Sequence, residues 1–230
     1  MFQYYGSKSR IAGFYPPPKF DTIVEPFAGA AHYSLLHFDK DVILIDKYDR
    51  LIDVWHYLQN ASSQDILGLP DRPDDLCNFL NLSDVEKDFL GWQWNPGNTY
   101  PCKKVGTYRK REPEYWQRQR KRISESLFKI KHWKIKLGDF KDGQQLCNCT
   151  YFIDPPYLVG GQKYKHKFTD FQNLAIWVKS LSGQVVVCEN NEAKWLPFQP
   201  LVKNKGSQNL LNRVECFYTN SPMVFQMSIF

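Results

Sequence analysis

The chain has 230 residues, enough for one domain with a sizeable buried core. Its 43% hydrophobic and 23% charged residues exclude a disordered or fibrous polymer, and no apolar run approaches the roughly 20 residues of a membrane helix. A net charge of +6 leans toward a polyanionic partner, while six cysteines without CxxC or zinc-like spacing read as reduced, mostly buried thiols and no metal site.

The opening MFQYYGSKSR has no apolar signal region, so a cytoplasmic location is expected. Residues 23–27 (IVEPF) predict a short buried strand, followed by a Gly/Ala turn and an apolar helix, AHYSLLHF. Residues 41–45 (DVILI) predict a second strand ending at Asp46, then a helix from Tyr48 to about Gln59. Alternating strands and helices with continuous apolar strands predict a parallel sheet covered on both faces. From Ala61 to Ile130 the alternation is lost among Pro70, Pro73, Pro96, Gly97, Pro101 and Gly106. It resumes with strands at 133–137 and 150–154, a helix from Phe171 to Leu181, a strand at 184–188 and a late antiparallel strand at 213–220. The expectation is one α/β domain, residues 1–60 and 131–230, interrupted by an insertion at 61–130.

In open α/β sheets, ligands sit outside the carboxyl ends of the strands. EPFAGA (25–30) places an acid and a turn of small residues there, with Gly29 allowing close approach to the backbone. The loop lacks the full G-x-G-x-x-G of a pyrophosphate site, and Glu25 would repel phosphate but tolerate an ammonium or sulfonium. Asp46, about 20 residues on, suits the hydroxyls of a ribose. Asp154-Pro155-Pro156-Tyr157 then comes straight off a predicted strand. Two prolines stiffen the chain and remove two donors. A carboxylate, an acceptor-rich backbone and an aromatic face form a receptor for a planar amine such as adenine N6. Asp154 and the Pro155 carbonyl are candidate acceptors for its two N–H groups, and Tyr157 is a candidate stacking face, worth about 1–3 kcal/mol per base.

These residues resemble the Dam-like DNA adenine-N6 methyltransferases of phages and restriction systems. The matching pieces, in matching order, are YYGSK (4–8), EPFAGA (25–30), ILID (43–46), GDF (138–140) and DPPY (154–157). The resemblance implies a Rossmann-like S-adenosylmethionine-dependent methyltransferase fold with an inserted, mainly helical target-recognition lobe. It implies S-adenosylmethionine as cofactor, double-stranded DNA as substrate and base flipping, in a bacterial or phage-infected cell. By position it assigns Tyr4, Lys8, Glu25, Phe27, Gly29, Asp46, Asp139, Phe140 and Asp154 to the cofactor. Lys8 would lie near the cofactor carboxylate, Asp139 at the adenine N6 and Phe140 on the adenine ring. One departure is that the family's G-x-G becomes Gly29-Ala30-Ala31, which predicts a slightly displaced loop. A restriction endonuclease partner and a monomer or weak dimer both remain open.

Between Cys102 and Lys136 thirteen Lys/Arg face three Glu. Such residues neutralise phosphates and give affinity without sequence information. Arg109, Lys110, Arg111, Arg118, Arg120 and Arg122 are the candidate DNA contacts, with Tyr108, Tyr115 and Trp116 interleaved as candidate wedges. Lys163 and Lys165, in GGQKYKHKF (160–168), are candidates for a loop closing over the flipped base. Two other readings stay open: methylation of RNA adenine or another exocyclic amine, and a nucleic-acid-binding module without catalysis. A nicotinamide dehydrogenase is disfavoured by the missing G-x-G-x-x-G and by DPPY.

Overall fold

The computed structural model describes residues 1–71, 79–104, 113–143, 146, 148–203 and 214–221. Five parallel strands, β1 (Thr22–Glu25), β2 (Asp41–Asp46), β3 (Lys134–Leu137), β4 (Thr150–Ile153) and β5 (Gln184–Asn190), form most of one sheet. β6 (Gln199–Lys203) and β7 (Val214–Thr219) complete it in the order β3-β2-β1-β4-β5-β7-β6, with β7 antiparallel to both neighbours. The strands expected from sequence are present within a residue or two, and the late strand is antiparallel as expected.

Central strands are apolar on both faces because both faces are covered. Ile23, Val42, Leu44, Phe152, Val186 and Cys188 face one core, while Val24, Ile43, Ile45, Tyr151, Ile153, Val185 and Val187 face the other. A short helix, α1 (His32–Leu36), follows β1, and the first core is closed by α2 (Asp49–Asn60), whose Leu51, Trp55 and Leu58 recur at helical spacing. The second is closed by α6 (Phe171–Ser180) through Leu174, Trp177 and Val178. Edge strand β3 carries Lys134 and Lys136 exposed, which suits an unpaired edge.

The insertion folds into α3 (Ser63–Leu67), α4 (Asp84–Trp94) and α5 (Pro113–Ser124). Ser62 with Asp65, and Ser83 with Glu86, cap α3 and α4 reciprocally. These helices do not enclose a separate core among the described residues. Phe89, Leu90, Trp92, Trp94, Trp116 and Ile123 join the first core beside α2. Trp116 is therefore no wedge for an extruded base: it is buried, and its indole N–H donates to Pro70 O at 2.9 Å. No helix of the described residues is long and apolar enough to cross a membrane.

Candidate functional site

The strand order reverses between β1 and β4, and a crevice opens there at the carboxyl ends. β1 ends in Glu25, β2 ends in Asp46 and β4 runs into Asp154. Parallel pairing of β1 with both neighbours brings these three carboxyls to one edge. They line one cleft of about 640 Å³, open mouth included.

The turn after β1 is pinned to β2 by Ala28 N–H donating to Ile45 O at 3.0 Å. Gly29 and Ala31 both have φ of 46°, in the left-handed region. Ala31 stands where the G-x-G pattern has its second glycine, and it keeps the glycine-like conformation at a cost of about 1–2 kcal/mol. The Asp46 carboxylate is held by backbone donors on both oxygens, Gly29 N–H at 3.2 Å and Tyr48 N–H at 2.9 Å. Burial lifts its pKa above the ordinary range against those donors. Each oxygen keeps accepting capacity for a ligand hydroxyl. Glu25 is buried, accepts Ser34 N–H at 2.8 Å, and burial pushes its pKa up to about 8.

The opposite wall is the N-terminal segment. Ser7 N–H donates to Tyr4 O at 3.2 Å, closing a turn whose third residue, Gly6, has φ of 75°. Lys8 emerges from this turn and is buried. Its ammonium donates to Gly6 O at 3.2 Å and pairs with Asp154 Oδ1 at 2.8 Å, lying 4.7 Å from the centre of the Tyr157 ring. Burial works against the charge on Lys8, but Asp154 and then Glu215 outweigh it and hold its pKa above the ordinary lysine range. Burial likewise lifts the Asp154 carboxyl, against the pull of Lys8. The 2.8 Å contact is that of a charged pair. His32, also lining the cleft, contacts Ser7 Oγ at 3.2 Å, and burial above all lowers its pKa to about 3, leaving the imidazole neutral.

After the corner, β5 holds the chain. Glu189 accepts Leu158 N–H at 3.0 Å, Asn190 donates to Val159 O at 3.0 Å, and Gly161 N–H donates to Tyr157 O at 3.0 Å. Gly161 packs on the corner so closely that a Cβ there would lie 2.9 Å from the Pro156 carbonyl carbon. A second cleft, about 1480 Å³ with its open mouth, lies beyond the same Tyr4–Lys8 wall and is lined by Tyr157, Gly161 and Glu215. Lys8 and Tyr164 border both clefts.

The first cleft thus gathers Tyr4, Lys8, Glu25, Phe27, Gly29, Asp46, Asp154, Pro156 and Lys165. Pro155 is buried at the corner, and Tyr157 faces the second cleft. Asp139 and Phe140 do not line the first cleft. Asp139 is ion-paired with Lys47, and the buried Phe140 stacks behind Phe27 at 5.7 Å, so of these two rings it is Phe27 that lines the cleft. The 160–168 stretch lies over the first cleft: the Tyr164 hydroxyl donates to Tyr5 O at 3.2 Å, and Lys165 and His166 line the cleft beside Tyr48. Lys163 is exposed near the Tyr5 ring.

On α5, Arg118 and Arg122 are exposed, together with Lys121. Arg118 makes a 3.4 Å contact with Glu114 one turn earlier. Arg120 instead turns inward, donating to Leu69 O and pairing with Asp71 at 2.5 Å, which ties α5 to the end of α3. Arg109, Lys110, Arg111 and Tyr108 lie outside the described residues. Sequence reading missed Glu215, Tyr164 and His32. Glu215 had a signal: it is the one acid in the strand VECFYT. No protein-family model matches the chain, and no curated protein is significantly similar to it.

Proposed function

We propose that the chain transfers a methyl group from S-adenosylmethionine to the N6 amine of adenine in double-stranded DNA. The observation that carries this reading is the Asp154–Tyr157 corner, whose carboxylate lines one cleft and whose tyrosine lines the other, across a shared Tyr4–Lys8 wall. One cleft then serves the methyl donor and the other the base, which must leave the duplex to be reached.

The donor set suits the cofactor. With Glu25 mainly protonated at neutral pH, Asp46 and Asp154 balance Lys8 and Lys165, and Lys8 is already paired. Such a site offers a pyrophosphate no excess of positive charge, and it tolerates a nucleoside bearing a sulfonium. Asp46 would hold the ribose, and Phe27 would face the adenine. The antiparallel β7 beside β5 also favours a Rossmann-like methyltransferase fold over the six-stranded dinucleotide fold.

S-adenosylmethionine, when bound, supplies an electrophilic methyl. The work of the chain is to prepare the acceptor. Asp154 and the Pro155 carbonyl accept the two N6 hydrogens, drawing the nitrogen lone pair out of the ring. Tyr157 supports the base face, and the stiff proline pair holds both acceptors in place. The proton leaves after the new N–C bond has made it acidic, so no strong base is needed. Of the candidate cations, Arg118, Arg122, Lys163 and Lys165 are described and exposed, as is Lys121 on the same helix as the two arginines; these would meet DNA phosphates, and the helical insertion is the proposed recognition region.

Transfer of tritiated methyl to adenine-containing duplex DNA tests the reading. Incorporation is expected into DNA, absent from duplexes whose adenines are already N6-methylated, and reduced on the order of 10²-fold or more in Asp154→Asn. Incorporation into RNA alone, or none at all, would overturn the DNA assignment; undiminished turnover in Asp154→Asn would overturn the role of the corner.

A further inference from the structure

Glu215 occupies a junction that the proposed chemistry has not used. Its side chain, 5% exposed, accepts from the hydroxyls of Tyr15 at 2.6 Å and of Tyr157, and it lies 3.8 Å from the Lys8 ammonium. Tyr15 is fixed in turn, edge-on to Phe152 and Phe217. A buried carboxylate is stabilised by a positive neighbour, and the Lys8 ammonium is one such neighbour of Glu215.

Lys8 in turn fills the seat a target amine requires. It is bonded to Asp154 and lies over the Tyr157 ring, the acceptor and the aromatic face assigned above to adenine. An amine reaching Asp154 must displace this ammonium, and a buried ammonium stripped of its counterion is strongly disfavoured. Closing the 3.8 Å gap to Glu215 by about 1 Å completes a second ion pair of ordinary length.

We propose that Glu215 is a positioning residue that receives the Lys8 ammonium when the target amine takes Asp154, while its bond to the Tyr157 hydroxyl keeps that ring in place. The idea rests on the methyl-transfer reading. It makes Lys8 a placeholder whose charge stays paired through the exchange, and it explains a buried acid on β7 beside an uncharged tyrosine pair.

Glu215→Gln tests it, because glutamine keeps the shape and an acceptor for both hydroxyls but removes the charge. At saturating S-adenosylmethionine, kcat should fall about tenfold or more, with cofactor Kd changed less than about twofold by calorimetry. Glu215→Asp, which keeps the charge, should restore part of the loss. In a Lys8→Met background the Glu215→Gln exchange should cost nothing further. A wild-type kcat in Glu215→Gln, or losses that multiply in the double variant, would overturn the proposal. Nitrogen-15 NMR of the Lys8 side chain in the cofactor-free protein separates this from failure of the reading. Titration of Lys8 should move down in Glu215→Gln, and an unmoved titration overturns the proposal whether or not methyl transfer occurs. Absence of methyl transfer in the wild type, with that titration moved, overturns only the functional reading.

Discussion

Replacing Glu25 by glutamine removes a buried carboxyl yet keeps an oxygen to accept Ser34 N–H. Burial pushes the Glu25 pKa up to about 8 from 4.5, against hydrogen bonds from Ser34 that pull the other way. Below pH 4.5 the group is protonated in both folded and unfolded chains, so ionisation costs the fold nothing. Between 4.5 and about 8 the unfolded chain ionises first, the native state holds more protons, and stability falls as pH rises. At about 1.4 kcal/mol per pH unit, the loss reaches roughly 3 kcal/mol at pH 7 and at most about 5 kcal/mol above pH 8. The variant has no such term. Urea unfolding of both proteins near pH 5 and near pH 8 should therefore show the variant gaining several kcal/mol on the wild type at the higher pH. A difference independent of pH would refute the reasoning. A cationic ligand in the cleft should also draw the Glu25 pKa down. Calorimetry of S-adenosylmethionine binding near pH 7, in buffers of differing ionisation heat, should then report proton release by the wild type and none by Glu25→Gln.

Asp46→Ala should raise the Kd for S-adenosylmethionine about tenfold or more, the worth of one to two hydrogen bonds to a charged group; an unchanged Kd by calorimetry would remove Asp46 from the site. Gly161→Ala brings a Cβ to 2.9 Å from the Pro156 backbone and should cut kcat about tenfold while thermal unfolding moves little; unaltered turnover would show that the corner tolerates displacement. Arg118, Lys121 and Arg122 replaced together by alanine should flatten the salt dependence of DNA affinity by about 0.9 in log–log slope for each phosphate no longer neutralised. Arg120→Ala should leave that slope alone and instead lower stability by about 1–3 kcal/mol, because its bonds to Leu69 and Asp71 are removed.

The parallel strands were legible because burial on both faces demands continuous β-branched runs, as in DVILI and QVVVC. β6 was not. Gln199-Pro200 opens it, Pro200 lies beside a register shift, and the strand lies at the sheet edge, where a proline is tolerated and no apolar run is needed. In the insertion, proline punctuation hid α4 although its Ser83…Glu86 capping pair was present. Trp116 was misread because its neighbours are charged; on a helix the residues next in sequence point elsewhere, and Trp116 faces Phe89 and Trp94. The acids at strand ends, Glu25, Asp46 and Asp154, were legible because an open α/β sheet presents ligands to the carboxyl ends of its strands and because EPFAGA and DPPY mark two of those ends. Asp139 and Phe140 rested on resemblance, and the cleft that gathers those acids does not include them. Tyr164 and Glu215 reach the Tyr4–Lys8 wall from elements distant in sequence, a convergence that no local pattern encodes.

Charge is what selects the ligands of this crevice. Glu25, Asp46, Asp154 and Glu215 collect around the Tyr4–Lys8 wall, and one buried lysine answers two of them. Burial above all drives Glu25 toward its protonated form, and the nearby Asp154 carboxylate adds to that push. Anything that adds positive charge relieves it, and anything that adds phosphate worsens it. An aromatic-walled cleft of similar size with a phosphate-cradling glycine turn would favour a dinucleotide. Under the proposed function, acids at three neighbouring strand ends would suit a sulfonium nucleoside on one side of the wall and an amine on the other. Lys8 borders both clefts and pairs with Asp154 in the first, so under the proposed function a group that takes Asp154 displaces an ammonium that the second cleft also touches, and this one ion pair would couple the two.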